Sequence, residues 1–317
     1  MRILVMGAGA LGSVAGGLMA EAGHDVALVG RAPHMNAISR DGLRISGIWG
    51  AHHTRVRQAV ARADALDPAP FDWILLAVKS YDTKTAIETV RPLVAETTLV
   101  CAYQNGLGNA EAIASQVGWA RTVGARVIYG ARIVEPGHTE VTVIANPTAL
   151  GTYDPATPAA RVRACAGAME AAGLPTVYTE SIETVLWGKV AYNCALNPLS
   201  ALLDVPYGAL AETEYTRAIL RDVVHELYAV GNARGVRLDP ASPEAYLELL
   251  FEKLIPPTAA HYASMREDFR LGRPTEIEAL NGAIARYAHE CGAPCPANEM
   301  LTRLVHAREH ALGIQPR

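Results

Sequence analysis

The chain predicts an α/β domain built on a mainly parallel sheet, followed by an all-helical domain. Three observations carry that expectation. Short, continuous apolar runs alternate with helical patterns through the first half of the 317 residues. A glycine-rich turn joins the first run to the first helix. Beyond about residue 180 the strand patterns stop and only helical periodicity remains. The expected domains are therefore 1–180 and 181–317.

The elements follow in order. Residues 2–6, RILVM, read as a short buried strand, and 10–22 as an Ala-rich helix ending at Gly23. DVALV (25–29) is the next strand. DWILLAV (72–78) and TLVCAY (98–103) are further apolar runs, with a helical pattern near 83–95 between them. Runs without polar alternation indicate strands covered on both faces. Residues 126–144 alternate apolar and polar around Pro136-Gly137, which reads as an antiparallel hairpin. A helix near 158–172 and a strand at 176–179 complete the domain. Helical patterns then run near 182–203, 212–233, 243–254, 258–270, 276–290 and 297–311. Gly235 and Gly292 read as C-caps. Ser242-Pro243 reads as an N-cap followed by an N1 proline.

Composition narrows the function classes. Hydrophobic residues make up 50% and charged residues 19%, as in folded globular chains. A net charge of −4 and the lack of a basic run argue against a nucleic-acid partner. The five cysteines, Cys101, Cys165, Cys194, Cys291 and Cys295, are odd in number and sparse, which fits free thiols in a reducing compartment. The N-terminal run resembles a signal peptide in hydropathy, but its glycine pattern and the strand after it point elsewhere. No other run approaches the ~18 apolar residues of a membrane span. The expectation is a cytoplasmic protein without a membrane partner.

Gly7-Ala8-Gly9-Ala10-Leu11-Gly12 matches GxGxxG between a strand and a helix, the context of a Rossmann-type dinucleotide-binding domain. Gly7 allows the tight turn, Gly9 lets backbone approach a pyrophosphate, and Gly12 lets helix and strand pack closely. The helix N-terminus favours the phosphates. The second strand ends in Leu28-Val29-Gly30-Arg31. An arginine where NAD-binding proteins place an acid accommodates a 2′-phosphate, so NADPH is the expected cofactor. Lys79 and Gln104-Asn105-Gly106 each follow a strand at its C-terminal end, where ligands bind. For Asn105, ordinary Asn-Gly turn chemistry is the alternative.

In the second domain, Lys189, Asn193 and Asn197 recur every four residues in the apolar stretch 187–204, WGKVAYNCALNPLSALLD. Residues at that spacing share a helix face. Burying a lysine and two amides costs several kcal/mol, by rough transfer values, unless each finds a partner. The partners are either a bound substrate or a structural network between helices.

Several separated stretches together carry a resemblance. The N-terminal GAGALG, AVKSY at 77–81, QNGLGN at 104–109, WGKVAYNCALNPLSAL at 187–202 and ASMREDFRLGRPTEIEALNG at 263–282 are similar to motifs of the ketopantoate reductase family, in the same order and across nearly the whole chain. The resemblance implies an NADPH-dependent 2-dehydropantoate 2-reductase, with its active site in a cleft between a Rossmann domain and a helical one. It implies that Lys189 is the general acid, that Asn193, Asn197 and Ser264 bind substrate, and that Glu276 contacts cofactor and active-site groups. It further implies that Asn105 and Lys79 lie near cofactor and substrate, and that Arg31 binds the 2′-phosphate. Pro206-Tyr207-Gly208 departs from the Pro-Asn-Gly of many members, which leaves the particular 2-oxo acid open. A reductase of another 2-oxo acid and a non-catalytic NADPH sensor are the competing functions. A homodimer through the C-terminal helices is a further expectation. His306 and His310 are spaced as a metal pair, but without a third ligand they read as a solvated face, and no metal is expected. His52-His53 reads as an exposed loop.

Overall fold

The computed structural model describes residues 1–315. Strands occupy β1 (Arg2–Met6), β2 (Asp25–Val29), β3 (Leu43–Gly47), β4 (His52–Thr54), β5 (Gln58–Val60), β6 (Trp73–Leu76), β7 (Leu99–Ala102), β8 (Thr122–Arg126), β9 (Tyr129–Glu135), β10 (His138–Ile144), β11 (Thr148–Thr152) and β12 (Thr176–Thr179). Helices are α1 (Ala10–Glu21), α2 (Ala32–Asp41), α3 (Thr83–Val90), α4 (Asn109–Val117), α5 (Ala159–Ala171), α6 (Ile182–Leu203), α7 (Tyr207–Leu210), α8 (Glu214–Ala233), α9 (Pro243–Leu249), α10 (Ser264–Arg270), α11 (Asn281–Cys291) and α12 (Pro296–Ala311). The chain forms two compact units. The first holds Met1–Asn105 and Asn109–Ile182; the second holds Gly106–Gly108 and Glu183 onward.

The first unit is an α/β fold on an eight-stranded sheet in the order β12-β11-β8-β7-β6-β1-β2-β5. Strands β5, β2, β1, β6, β7 and β8 run parallel, and β11 pairs antiparallel with β8. On β1, Ile3 and Val5 join one apolar cluster while Leu4 joins the other. That two-sided burial explains why the strand reads as an unbroken apolar run. Helices α1 and α5 cover the first face, and α3 and α4 the second. Leu4 is fully buried, so Leu4→Ala belongs in the ~2–5 kcal/mol range of core truncations. Chain order reverses on either side of β1, which makes its C-terminal end the switch point where ligands bind in such sheets. The expected hairpin is present as β9 and β10, in a separate sheet ordered β4-β3-β10-β9.

The second unit is helical around one apolar cluster drawn chiefly from α6, α8, α9, α11 and α12. Thr213 caps α8 by accepting from Thr216 N–H at 3.2 Å, and Ser242 caps α9 by accepting from Ala245 N–H at 3.2 Å. Gly235 (φ 74°) and Gly292 (φ 72°) take the left-handed conformation just past their helices, as their positions predict.

Several expectations are corrected. The helix expected over 83–95 ends at Val90, and Pro92 sits in a 3₁₀ turn beyond it. The pattern at 243–254 stays α-helical to Leu249 and widens into a π turn. Pro256 and Pro257 confine the next segment to a short 3₁₀ turn, so α10 starts at Ser264 and not at 258. The helix expected at 276–290 is a 3₁₀ turn (Ile277–Ala279), a break at Leu280, and α11. His52 and His53 form strand β4, and His52 Nδ1 lies 2.6 Å from Glu21 Oε2. Strands β3, β4 and β5 carry no apolar run, being only three to five residues of mixed polarity. Among the described residues no helix is long and apolar enough to cross a membrane.

Candidate active site

The glycine loop leaves β1 at the switch point. Gly7 N–H and Ala8 N–H both donate to Val29 O, at 2.9 and 2.8 Å, tying the loop to the end of β2. Gly7 adopts φ +100°, and a Cβ there would stand 2.4 Å from Val78 N, so only glycine fits. A Cβ on Gly12 would lie 2.6 Å from Gly7 O. Gly9 is the N-cap of α1 and makes no side-chain cap. The amides of Ala10, Leu11 and Gly12 therefore open the helix without an intrahelical acceptor. No acidic side chain sits in that first turn. This cradle fits a pyrophosphate. Of the six loop residues, Ala10, Leu11 and Gly12 supply open donors, while Gly7 and Ala8 use theirs internally and Ala8 is only 2% exposed.

A histidine outside the sequence expectations secures this loop. Gly137 N–H donates to His34 Nδ1 at 3.0 Å, which places the ring proton on Nε2. Nε2 lies 3.0 Å from Ser13 Oγ, and Ser13 Oγ donates to Ala8 O at 3.2 Å. Burial holds the His34 pKa below its ordinary value, so the ring stays neutral and keeps this chain intact. The signals were Ser13, a polar residue in a small apolar helix, and His34 three residues past Arg31.

Arg31 is exposed at the N-cap of α2, two residues past the carbonyl that anchors the loop. Lys79 is half-buried and directly follows Val78, whose amide packs on Gly7. After β7, Gln104 Nε2 donates to Thr83 Oγ1 (2.5 Å), Thr83 Oγ1 to Asn109 Oδ1 (2.8 Å), and Asn109 Nδ2 to Asn105 O (2.9 Å). The Asn105 backbone is thus fixed, and Gly106 takes φ +85° as an Asn-Gly turn does. Thr83 and Asn109 were not expected to serve this loop.

In the helical unit, α6 carries Lys189 and Asn193 half-buried and Asn197 buried, one turn apart from each other. Pro198 lies inside the same helix, so Cys194 O loses its usual i+4 donor. Asn281 Nδ2, fully buried at the start of α11, donates to that carbonyl at 3.1 Å and also to Asn298 Oδ1 at 3.0 Å. Asn298 Nδ2 continues to Glu226 Oε2 at 2.8 Å, and Glu226 accepts the amides of Ala297 and Asn298 that open α12. This network serves the helix behind the polar face.

Tyr207 O–H donates to Asn197 Oδ1, and both side chains are buried. Burial drives the Tyr207 phenol far above its ordinary range, so it remains a neutral donor. The Tyr207 ring meets Tyr192 edge-on at 5.8 Å, and Tyr192 O–H pairs with Thr258 Oγ1 at 2.8 Å. Asn197 therefore has a protein partner for its carbonyl, as the network alternative expects. Ser264 is exposed at the first position of α10. Glu276 is half-buried at the N-cap of the 277–279 turn. The same unit holds Leu107, whose N–H donates to Ala279 O at 2.8 Å. His306 is partly exposed and lies against two carboxylates, and His310 is exposed. The described residues hold no group of three or more metal-ligating side chains.

A glycine loop at the switch point of a parallel sheet, feeding a helix with open amides, defines a dinucleotide-binding α/β protein. Comparison with known proteins narrows that class. Residues 3–155 match the family model for ketopantoate reductase PanE/ApbA, and residues 181–309 match that of its C-terminal domain. The chain is 36% identical to 2-dehydropantoate 2-reductase of Aquifex aeolicus (strain VF5), over 98% of this chain and 97% of that one. It superposes with a TM-score of 0.88 on a PanE/ApbA family ketopantoate reductase from Ralstonia eutropha JMP134, at 32% identity, over 99% of this chain and 100% of the other. A ternary structure of D-mandelate dehydrogenase with NADH and anilino(oxo)acetate also gives 0.88, at 26% identity and with the same coverage. The chain belongs to the ketopantoate reductase family.

Proposed function

We propose that this protein is an NADPH-dependent 2-dehydropantoate 2-reductase, reducing the C2 carbonyl of ketopantoate to the alcohol of pantoate. The observation that carries this reading is the polar stripe Lys189–Asn193–Asn197 on an otherwise apolar α6. In the N-terminal unit the amides of Ala10–Gly12 hold the pyrophosphate, Arg31 the 2′-phosphate, and Lys79 and Asn105 the reactive half of the cofactor. NADPH bound there supplies a hydride. In the helical unit, Lys189 stabilises the negative charge that develops on the C2 oxygen and gives it a proton. Asn193, Asn197 and Ser264 hold the acid's polar groups and orient C2. Glu276 favours the charged form of Lys189.

A different 2-oxo acid is the second reading, and Tyr207 favours it. A buried phenol holds the carbonyl of Asn197 where many family members have an asparagine side chain. The likeness to D-mandelate dehydrogenase points the same way, because that structure holds an aryl-substituted oxo acid. The test is NADPH oxidation by the pure protein against a panel of 2-oxo acids containing ketopantoate and aryl glyoxylates. The highest kcat/KM on ketopantoate is expected. A higher value on an aryl glyoxylate establishes the second reading, and no oxidation with any acid leaves a sensor.

A further inference from the structure

We propose that His306 and Glu309 are positioning residues that grip the chain on both sides of Glu276. The proposal rests on the role given to Glu276 above. The grip has two points. Glu309 Oε1 accepts Thr275 N–H at 2.7 Å, immediately before Glu276. His306 Nε2 lies 2.7 Å from Glu278 Oε1, two residues after Glu276. The two points are joined, because His306 Nδ1 lies 2.8 Å from Glu309 Oε2. Glu276 is thus held between a backbone anchor and a side-chain anchor that share one imidazole. The same short segment ends at Ala279, whose carbonyl takes the Leu107 N–H.

The chemistry of the grip follows from its atoms. Both ring nitrogens face carboxylate oxygens, and a carboxylate only accepts. Two N–H donors are needed, so His306 is an imidazolium here. Glu309 is only 3% exposed, and a carboxylate buried that far requires a compensating charge. His306 supplies it from the same face of α12, three residues away. The charged groups acting on the ring are Glu309 on its own helix and Glu278 on the 277–279 turn. Burial opposes the charged ring, but the two carboxylates outweigh it and its pKa is raised. When the proton leaves, one carboxylate faces a nitrogen lone pair, and the shared joint fails. Thr275 and Glu278 are then no longer fixed to one another, and Glu276 loses its placement.

The test has two arms. The first reads the clamp without turnover: a pH titration of the ring-nitrogen NMR shifts in histidine-labelled full-length protein. Both ring nitrogens of His306 should be protonated, with a midpoint above that of free histidine. The second arm compares wild type with His306→Gln and Glu309→Gln. Glutamine at 306 keeps one donor but bridges two carboxylates poorly. It should lower kcat by roughly three- to tenfold, one decade being about 1.4 kcal/mol. It should also remove the part of the alkaline fall in kcat that coincides with the His306 midpoint. A change in thermal stability with kcat and the pH profile untouched would make the contacts merely structural and overturn the proposal. So would a His306 midpoint at or below that of free histidine. Because the NMR arm needs no substrate, failure of the reductase assay against every 2-oxo acid counts against the functional reading, while the nitrogen shifts decide the clamp separately.

Discussion

The glycine loop and the polar face of α6 build sites by opposite means. The loop works through backbone: three open amides and two positions where a Cβ would collide with main-chain atoms. The α6 face works through side chains that must be buried, and burial obliges the rest of the unit to support them. Tyr207 stands against Asn197 on that face, while Asn281, with Asn298 and Glu226 behind it, answers the Cys194 carbonyl that Pro198 frees. The loop's donors come from consecutive residues, although Val29, Val78 and His34 hold them in place, whereas α6 draws on Asn281, 87 positions from Cys194. The two should therefore break differently. Damage to the loop should appear in cofactor affinity, and damage to the face should appear in turnover or stability.

The largest effect should come from Lys189→Ala. General acid catalysis contributes typically 10²–10⁴-fold, so kcat should fall by that factor. NADPH affinity should stay near wild type, since the loop amides proposed to hold it lie in the other unit. Arginine at 189 should restore only part of the rate, because guanidinium keeps the charge and is a poor proton donor. Stopped-flow turnover with a parallel cofactor titration checks both. A variant that binds NADPH as poorly as it turns over would erase the division between the two regions.

Asn281→Ala comes next, and it should act on stability. It strands Cys194 O beside Pro198 and cuts the link to Asn298, all in buried surroundings. An unsatisfied buried polar group costs ~1–3 kcal/mol. Denaturant unfolding should show that loss in the helical unit.

The difference between the regions also explains what could be read from the sequence. The loop was legible because GxGxxG between a strand and a helix is a local pattern, and Arg31 follows it at short range. The stripe on α6 was legible as a conflict: polar groups at helical spacing in an apolar run. Its supports were not, because nothing in the sequence pairs Asn281 with Cys194 O or His306 with Glu278; those contacts exist only once α6, α8, α11 and α12 pack. The strands β3, β4 and β5 stayed hidden for a related reason. Their residues are set by the sheets they join and not by a hydrophobic pattern of their own. The same logic hid His34, whose two partners, Ser13 and Gly137, come from α1 and the β9–β10 turn.

Arg31→Ala should have a smaller effect, confined to affinity. A charge-assisted contact to a phosphate is worth on the order of 1.5–3 kcal/mol. NADPH binding should weaken by roughly tenfold or more, while NADH binding stays nearly unchanged. Fluorescence titration with both cofactors decides it. An equal loss for the two would remove Arg31 from the 2′-phosphate and leave the cofactor preference to other groups.

The smallest effect, and the sharpest contrast, should be in the response to pH. His34 sits in the loop region with a pKa lowered by burial. Its neutral ring accepts the Gly137 N–H, so its contribution is present above the unfolded value of 6.5. It is lost as pH falls from there through the depressed folded value, because the unfolded chain takes up the proton first. His306 has the opposite sign. Burial works against its charge, the carboxylates of Glu278 and Glu309 prevail, and the folded pKa is raised. Its contribution is present below 6.5 and is lost as pH rises through the folded value. The His306 ring is partly exposed, so solvent screening should hold its share to about 1 kcal/mol or less. Two backbone amides report the two histidines: Gly137 bonds His34 directly, and Thr275 bonds Glu309, the partner of His306. Hydrogen-exchange protection, corrected for the intrinsic pH dependence of exchange, should fall at Gly137 on acidification and at Thr275 on alkalinisation. If both amides moved in the same direction, one of the two histidines would carry the wrong charge in this account. Should Thr275 alone fail to respond, Glu309 would hold the segment without help from the imidazole.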